Sequence, residues 1–306
     1  MSSILLHDKV NCYLCEFDRG TDTIKLYKWM EQLREEALHA GGTMFSHLGN
    51  HEFMNVLGEV SLISLNVPTL THALQATGGR FVHAYVVFPI IFSLITVRYV
   101  LQSDIATFGS VEKRQAALTT GFIGSAWAQN YTVASRVPLH PFSGAPFSDY
   151  SPSSSPNPLS HASLSFMHGG LSPAFAEVHG SPYPSTINAL GASLLHRCRK
   201  RSPLPPPHPP APYAGLPPGS TPAEHFLYSS DGPLWYRGWA MDDTHAVCNR
   251  VGKIMEKIGV RRLIMGHTPD FEVCVMISFV FDLSHAICLN LCCSKLCLAA
   301  GVGSLS

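Results

Sequence analysis

The pattern of apolar and polar residues changes from helical to strand-like near the start of the chain. Between residues 21 and 40, apolar side chains recur at the spacing of one helix face, and Gly41-Gly42 follows as a typical helix end. The short apolar run at 43–48 comes next and has the length of a buried strand. The pattern therefore predicts a helix followed by a strand.

Two further apolar runs, HASLSFM at 161–167 and VRRLIM at 260–265, share one property with the run at 43–48. A polar loop containing histidine follows each of the three, and these loops read GNHE, HGG and GHTP. Each motif alone is also typical of a plain turn, because Gly and Asn tolerate positive φ. The repeated strand–loop–helix pattern favours an α/β fold with a metal site at the strand ends.

The composition leaves room for a buried core and gives no global charge. The chain has 306 residues, 46% of them hydrophobic, and 21 basic residues balance 21 acidic ones. No overall field attracts nucleic acid or an anionic membrane, so a nucleic-acid partner is not expected. Sixteen histidines supply many candidate metal ligands.

Two low-complexity stretches, at 138–160 and 201–223, are predicted to be surface loops. The second is rich in proline, which favours polyproline II over a packed element. The spacing of Lys200, Pro203 and Pro206 matches an SH3 ligand, so an SH3-type adaptor is one candidate partner of residues 200–206. A plain linker is the alternative.

An uncharged run at 82–97 raises the question of a membrane span. It is shorter than the roughly 20 residues that a spanning helix needs, and it contains Pro89, so a membrane partner is not expected. The first ten residues carry His7, Asp8 and Lys9 where a signal peptide has its apolar core. A cytoplasmic location is therefore the expectation.

The three histidine loops, preceded by Asp18-Arg19-Gly20, resemble the motifs of the calcineurin-like metallophosphoesterases in their order. The likeness is closest to the bacterial-like (Shewanella-type) branch of the phosphoprotein phosphatases, over about residues 16–59 and 98–272. The stretches that carry it are DRGTDTIKLYKWMEQLREEA, HLGNHEFMN, IATFGSVEKRQAALTTGFIGSAWAQNYTVASRVPLHP, HGGLSP and DGPLWYRGWA. The resemblance implies a two-sheet sandwich flanked by helices, with the site at the strand ends.

The resemblance also implies a metal site and its ligands. Asn50, His168 and His267 would bind one divalent ion, which is Mn, Fe or Zn in such a site. The family holds two ions. The position of its bridging aspartate is Cys15 here, and residues 1–14 contain no Gly-Asp-x-His-Gly motif. One ion per chain is therefore expected.

Further residues would act on the phosphate ester if the resemblance holds. His51 would protonate the leaving oxygen, and Arg19 and Arg237 would hold the phosphate, because a planar guanidinium matches phosphate bidentately. Asp18 is counted with this catalytic group. For Asp18 the alternative is a carboxylate that leads a helix, and for Arg237 it is a surface cation beside Trp235.

The likeness implies a single phosphoesterase domain over 1–306, interrupted by an atypical insertion at 60–97 and followed by a divergent tail at 273–306. These edges are abrupt, so errors in the gene model are the favoured explanation, and the fold is expected to be incomplete at both ends. The implied function is hydrolysis of phosphomonoesters by metal-activated water, on a phosphorylated protein or a small phosphomonoester. With one ion, turnover of aryl phosphates is expected to be near the blank rate. A catalytically incomplete, phosphatase-like binding or scaffold protein is the alternative.

Overall fold

The computed structural model of the chain describes residues 2–6, 10–14, 20–58, 62–63, 100–138, 149–150, 163–200 and 215–268. Helices and short strands are interleaved there, so the architecture has α/β character, as the sequence predicted. The strands are β1 (Ser2–Leu6), β2 (Val10–Leu14), β3 (Thr43–His47), β4 (Leu62–Ile63), β5 (Val100–Leu101), β6 (Tyr131–Thr132), β7 (Ala134–Pro138), β8 (Ser163–Met167) and β9 (Arg262–Met265). The helices are α1 (Thr23–His39), α2 (Asn50–Leu57), α3 (Gln102–Phe108), α4 (Val111–Thr119), α5 (Phe122–Asn130), α6 (Pro173–His179), α7 (Ser185–Arg199), α8 (Pro222–Leu227), α9 (Gly238–Met241) and α10 (Thr244–Lys257).

Two sheets carry the strands that lead into the histidine loops. In the first, with the order β1-β2-β3-β6, β1 is antiparallel to β2, and the other neighbours are parallel. In the second, with the order β7-β8-β9, β8 is antiparallel to β7 and parallel to β9. Because β8 and β9 are parallel, the loops that follow them leave the same edge of their sheet.

The chain passes from the first sheet into the second within a single residue. Val133 alone separates β6 from β7. The side-chain amide of Asn188 in α7 holds this junction, because its Oδ1 accepts hydrogen bonds from Val133 N at 3.1 Å and Ala134 N at 2.9 Å. Its Nδ2 donates to the Ala134 carbonyl oxygen at 2.9 Å. Asn188 thereby supplies hydrogen bonds that a neighbouring strand would otherwise make.

The two sheets also share a small buried cluster. Phe45 of β3 belongs to the same apolar cluster as Val137, Leu164 and Phe166 of the second sheet. His47 of β3 lies next to this cluster, stacks on the Phe166 ring and shares a 2.8 Å hydrogen bond between its Nε2 and the Ser135 hydroxyl. His47 is therefore a core histidine that joins the sheets.

The predicted helix over residues 21–40 and the strand after it are confirmed. Tyr27 and Met30 of α1 are buried, and the Tyr27 ring meets Trp127 of α5 edge to face, with 5.7 Å between ring centroids. Trp29 is one of the apolar residues of the helical pattern at 21–40, but it is 45% exposed. The predicted strands before the second and third histidine loops are confirmed as β8 and β9.

The prediction of a loop over 201–223 is wrong at its C-terminal end, where α8 begins. Thr221 caps this helix: its hydroxyl accepts from Glu224 N at 3.2 Å, and the Glu224 carboxylate accepts from Thr221 N at 2.7 Å. Pro222 suits the first helical position because its missing N–H needs no partner there. The proline-rich composition favoured a loop here, although Thr221 and Glu224 form a capping box that starts a helix.

Several sequence expectations fall outside the described residues. They are the uncharged run 82–97, the tail 273–306, all but two residues of the insertion 60–97, and residues 201–206 of the SH3-ligand pattern. Within the described ranges, every helix is too short or too polar to cross a bilayer. The single-domain organisation over 1–306 stays a prediction.

Candidate active site

The first loop of the candidate site connects β3 to α2. The carboxylate of Glu52 accepts a 2.7 Å hydrogen bond from the backbone N–H of Gly49, which fixes the start of the helix. Asn50 is buried at 1% exposure, and its Nδ2 lies 3.8 Å from the sulfur of Met54. Its Oδ1 is buried and has no hydrogen-bond partner among the described residues. A buried amide oxygen without a donor is a candidate ligand for a cation.

The second loop packs directly against the first. His168, which follows β8, is buried at 2% exposure. A methyl group added to Gly49 would lie 2.8 Å from both Cγ and Nδ1 of the His168 ring. Only a residue without a side chain allows this approach, so Gly49 places the start of α2 against the imidazole.

The third loop brings His267 to His168. His168 Nε2 and His267 Nδ1 are 3.0 Å apart, and the ring centroids are 4.9 Å apart. A backbone hydrogen bond of 2.8 Å from Gly266 N to the His168 carbonyl oxygen ties the two loops together. The parallel pairing of β8 with β9 delivers both histidines to this point. The structure thus brings together the three motifs that the sequence singled out.

The spacing of the two imidazole nitrogens, which is also a hydrogen-bond distance, is compatible with a shared divalent ion. Two nitrogens that each bind the same ion at about 2.1 Å stand roughly 3.0–3.4 Å apart for tetrahedral or octahedral angles. The 3.0 Å between His168 Nε2 and His267 Nδ1 lies within that range. Among the described residues, no three His, Cys, Asp or Glu side chains form a metal-binding group.

Arg237 lies beside the third loop. Its Nη1 donates to the His267 carbonyl oxygen at 3.1 Å and to the Thr268 hydroxyl at 3.2 Å. The side chain is exposed, and no carboxylate of the described residues pairs with it. Two other predicted site residues, Asp18 and Arg19, lie outside the described part of the chain, as does Cys15.

His51 lies in the first turn of α2, next to Asn50, and is buried. Asn55 Nδ2 donates to the His51 carbonyl oxygen at 2.8 Å, and Asn55 Oδ1 accepts from Arg114 Nη1 at 2.8 Å. Arg114 Nε in turn pairs with the Asp104 carboxylate at 3.0 Å, and both charged side chains are at most 1% exposed. A buried ionic network therefore supports the helix that carries two predicted site residues.

The sequence reasoning missed several contacts at this site. The Trp235 ring meets the His267 ring edge to face, with 5.5 Å between centroids. Gly169 N donates to the Pro233 carbonyl oxygen at 2.8 Å, so the segment that carries Arg237 contacts both histidine loops. In the sequence, the pair Gly169-Gly170 could have indicated close packing of another segment at this loop. Side chains added there would meet atoms of the segment 233–239 within 3 Å.

Replacing Gly49 with alanine is expected to weaken metal binding about tenfold or more, because the new methyl group must displace the His168 ring. The backbone at Gly49 has φ −102°, so the substitution itself causes no backbone strain. Calorimetric titration with Mn²⁺ or Zn²⁺ measures the change. Gly252→Ala is the matched control, because a methyl group there meets nothing within 4 Å. Unchanged affinity in Gly49→Ala would contradict the placement of His168 in the metal site.

Comparison with known proteins gives limited likenesses. No family model matches the chain. An uncharacterized protein of Schizosaccharomyces pombe is 27% identical over 260 residues, which cover 83% of this chain and 54% of that protein. The chain therefore spans about half the length of this relative.

Solved structures of cold-active protein tyrosine phosphatases are similar over more than four-fifths of this chain. A cold-active protein tyrosine phosphatase matches with 18% identity and a TM-score of 0.48, over 84% of this chain and 52% of the other. A cold-active protein-tyrosine phosphatase of a psychrophilic Shewanella species matches with 19% identity and a TM-score of 0.40, over 84% and 54%. Similarities with such low identity and TM-score do not indicate an activity for this chain. Its activity has to be inferred from the residues of the site.

Proposed function

We propose that this chain is a metal-dependent phosphoesterase of the calcineurin-like type, with a two-sheet sandwich whose strand ends carry the site. One observation carries the proposal: His168 Nε2 and His267 Nδ1 lie 3.0 Å apart, and Gly49 packs on the His168 ring directly before Asn50. Three loops that are distant in sequence supply these groups. If the three motifs were ordinary turns without a shared role, nothing would require them to lie in contact.

In this proposal Asn50, His168 and His267 hold one divalent ion. Imidazole nitrogens suit Zn and Fe, and an amide oxygen is acceptable to Mn, so the donor set admits each of the three. Such an ion supplies a water molecule of lowered pKa and offsets negative charge on the phosphoryl oxygens. In this proposal the ester would be hydrolysed directly, without a phosphoenzyme.

The remaining residues act on the ester itself. His51 donates a proton to the leaving oxygen, which makes the departing group neutral. Arg237 contacts the third loop through Nη1, and its opposite edge, Nε and Nη2, is proposed to face the phosphate. That edge suits two phosphoryl oxygens. The substrate is a phosphorylated protein side chain or a small phosphomonoester.

A second candidate function uses the same site without turnover. The described residues offer two imidazoles and one amide but no carboxylate that would bridge two ions. A single ion still attracts phosphate but makes a poorer nucleophile than a bridged pair. The alternative is therefore a binding or scaffold protein that retains phosphorylated partners.

The test is hydrolysis of an aryl phosphate with the chain in excess over substrate, because single-ion turnover is expected to be slow. We expect a small, Mn²⁺-dependent release of product above the blank that His51→Ala abolishes. His196→Ala is the control, since that histidine is exposed on α7, away from the three loops. Metal-dependent phosphate binding without product would favour the scaffold function. Absence of both metal and phosphate binding would overturn both functions.

A further inference from the structure

The third histidine loop holds an unusual backbone conformation. His267 has φ +57°, and it is the only non-glycine residue with positive φ among those the structure describes. This left-handed region is sparsely populated for residues with a Cβ and persists where the surroundings enforce it. A metal-binding histidine in that state needs contacts that hold the backbone as well as the ring.

Arg237 makes such contacts. Its Nη1 donates to the His267 carbonyl oxygen at 3.1 Å and to the next side chain, the Thr268 hydroxyl, at 3.2 Å. The Thr268 N–H donates to the Gly266 carbonyl oxygen at 2.6 Å, which closes a tight turn around His267. One guanidinium nitrogen therefore binds the two residues that define the turn.

The segment that carries Arg237 is itself fixed to the second histidine loop. The Pro233 carbonyl oxygen accepts from Gly169 N at 2.8 Å, and the Trp235 ring packs edge to face on His267. The segment 233–237 thus contacts the backbone after His168 and both the backbone and the ring of His267. Because it touches both loops, its position determines how the two imidazoles are spaced.

We propose that Arg237 is a positioning residue, which holds the turn at His267 in its metal-binding conformation through Nη1. This inference rests on the proposed metal site. If Arg237 acted on phosphate alone, its replacement would not weaken metal binding in the absence of phosphate. The positioning role predicts a loss of metal affinity in the absence of any phosphate, because partners that orient a metal ligand commonly account for 10- to 100-fold in affinity, on the order measured for other metal sites.

The effect of the Arg237 charge on metal affinity can be separated from the effect of its hydrogen bonds. Removing a positive charge near a cation raises the affinity for the cation by electrostatics alone, so a purely electrostatic Arg237 predicts tighter metal binding in Arg237→Ala. Positioning predicts weaker binding in Arg237→Ala and also in Arg237→Lys, which keeps the charge but loses the planar fork. The two explanations therefore differ in sign.

The experiment titrates Mn²⁺ alone into the purified chain and its variants. We expect about tenfold weaker binding in Arg237→Ala and Arg237→Lys. Thr268→Val should show a smaller loss because the His267 carbonyl contact remains. Arg262→Ala is the control, since Arg262 is an exposed arginine on β9 with no side-chain hydrogen bond among the described residues. Equal or tighter binding in Arg237→Ala would overturn the positioning role.

A second measurement separates failure of this inference from failure of the proposed function. Hydrogen exchange of the metal-free chain reports on the backbone at 266–268 whether or not the wild type binds an ion. We expect faster exchange there in Arg237→Ala than in the wild type and in Arg262→Ala. Absence of metal binding by the wild type would refute the proposed function. Unchanged exchange at 266–268 in Arg237→Ala would refute the anchoring of the turn.

Discussion

Replacing Arg114 with methionine is expected to lower the free energy of unfolding by about 3–5 kcal/mol, as found when one partner of a buried ion pair is removed. The substitution leaves the Asp104 carboxylate buried without its cation and removes the donor to Asn55 Oδ1. Both losses act on the packing between α2, α3 and α4. Urea unfolding followed by circular dichroism measures the change.

The double variant Asp104→Leu/Arg114→Met separates the cost of an orphaned charge from the worth of the pair. Two groups of the pair, Asp104 Oδ1 and Arg114 Nη2, have no partner among the described residues, so the pair itself is incompletely satisfied. We therefore expect the double variant to recover most of the lost stability. A remaining cost of about 1–3 kcal/mol reflects the loss of the hydrogen bond that Arg114 donates to Asn55 Oδ1.

Lys257→Met is the control for the ion-pair argument. Lys257 pairs with Glu177 at 3.5 Å on the surface, where water screens the charges, so little change is expected. If Arg114→Met proved as mild as Lys257→Met, the network would not support α2. If the double variant recovered none of the stability lost in Arg114→Met, the pair would be a net source of stability.

Replacing His168 with alanine is expected to abolish most binding of divalent ions. The wild-type chain should retain at most one ion after purification with excess Mn²⁺ or Zn²⁺, because the proposed ligands Asn50, His168 and His267 form a single set. Elemental analysis of protein passed through a desalting column gives the ratio of metal to chain. The alanine removes one of the two imidazole nitrogens that lie 3.0 Å apart.

His196→Ala serves as the control for loss of a histidine without loss of the site. Its metal content should equal that of the wild type. A ratio of two ions per wild-type chain would show that further ligands exist beyond Asn50, His168 and His267. Unchanged metal content in His168→Ala would mean that the second loop does not contribute to the ion site.

Local sequence signals predicted the elements that lead into the site. The helical spacing before Gly41 and the short apolar runs before the histidine loops correspond to α1, β3, β8 and β9. These signals are local, because periodicity and end residues act over a few positions. The sequence also identified His168 and His267 as partners, through the order of the motifs rather than through any contact.

The sequence could not predict contacts that depend on tertiary packing. Arg114 lies in a polar stretch, VEKRQAAL, and its burial follows only from the packing of α4 against α2 and α3. The turn at His267 and its anchor Arg237 are likewise set by loops that meet in space. His47 lies close to the first histidine motif in the sequence, yet it is a core residue that joins the two sheets. Residue type alone does not distinguish these roles.

The single-residue junction at Val133 has a consequence for the proposed metal site. Asn50 follows β3 of the first sheet, whereas His168 and His267 follow β8 and β9 of the second. An ion bound by all three is a cross-link between sheets that the backbone connects through one short crossing. Binding of the ion would therefore stabilise the folded chain against heat. At a free ion concentration of 100 times Kd, linkage adds about 2.7 kcal/mol to the free energy of unfolding. A chelator should lower the melting temperature of the whole chain, rather than loosening one loop.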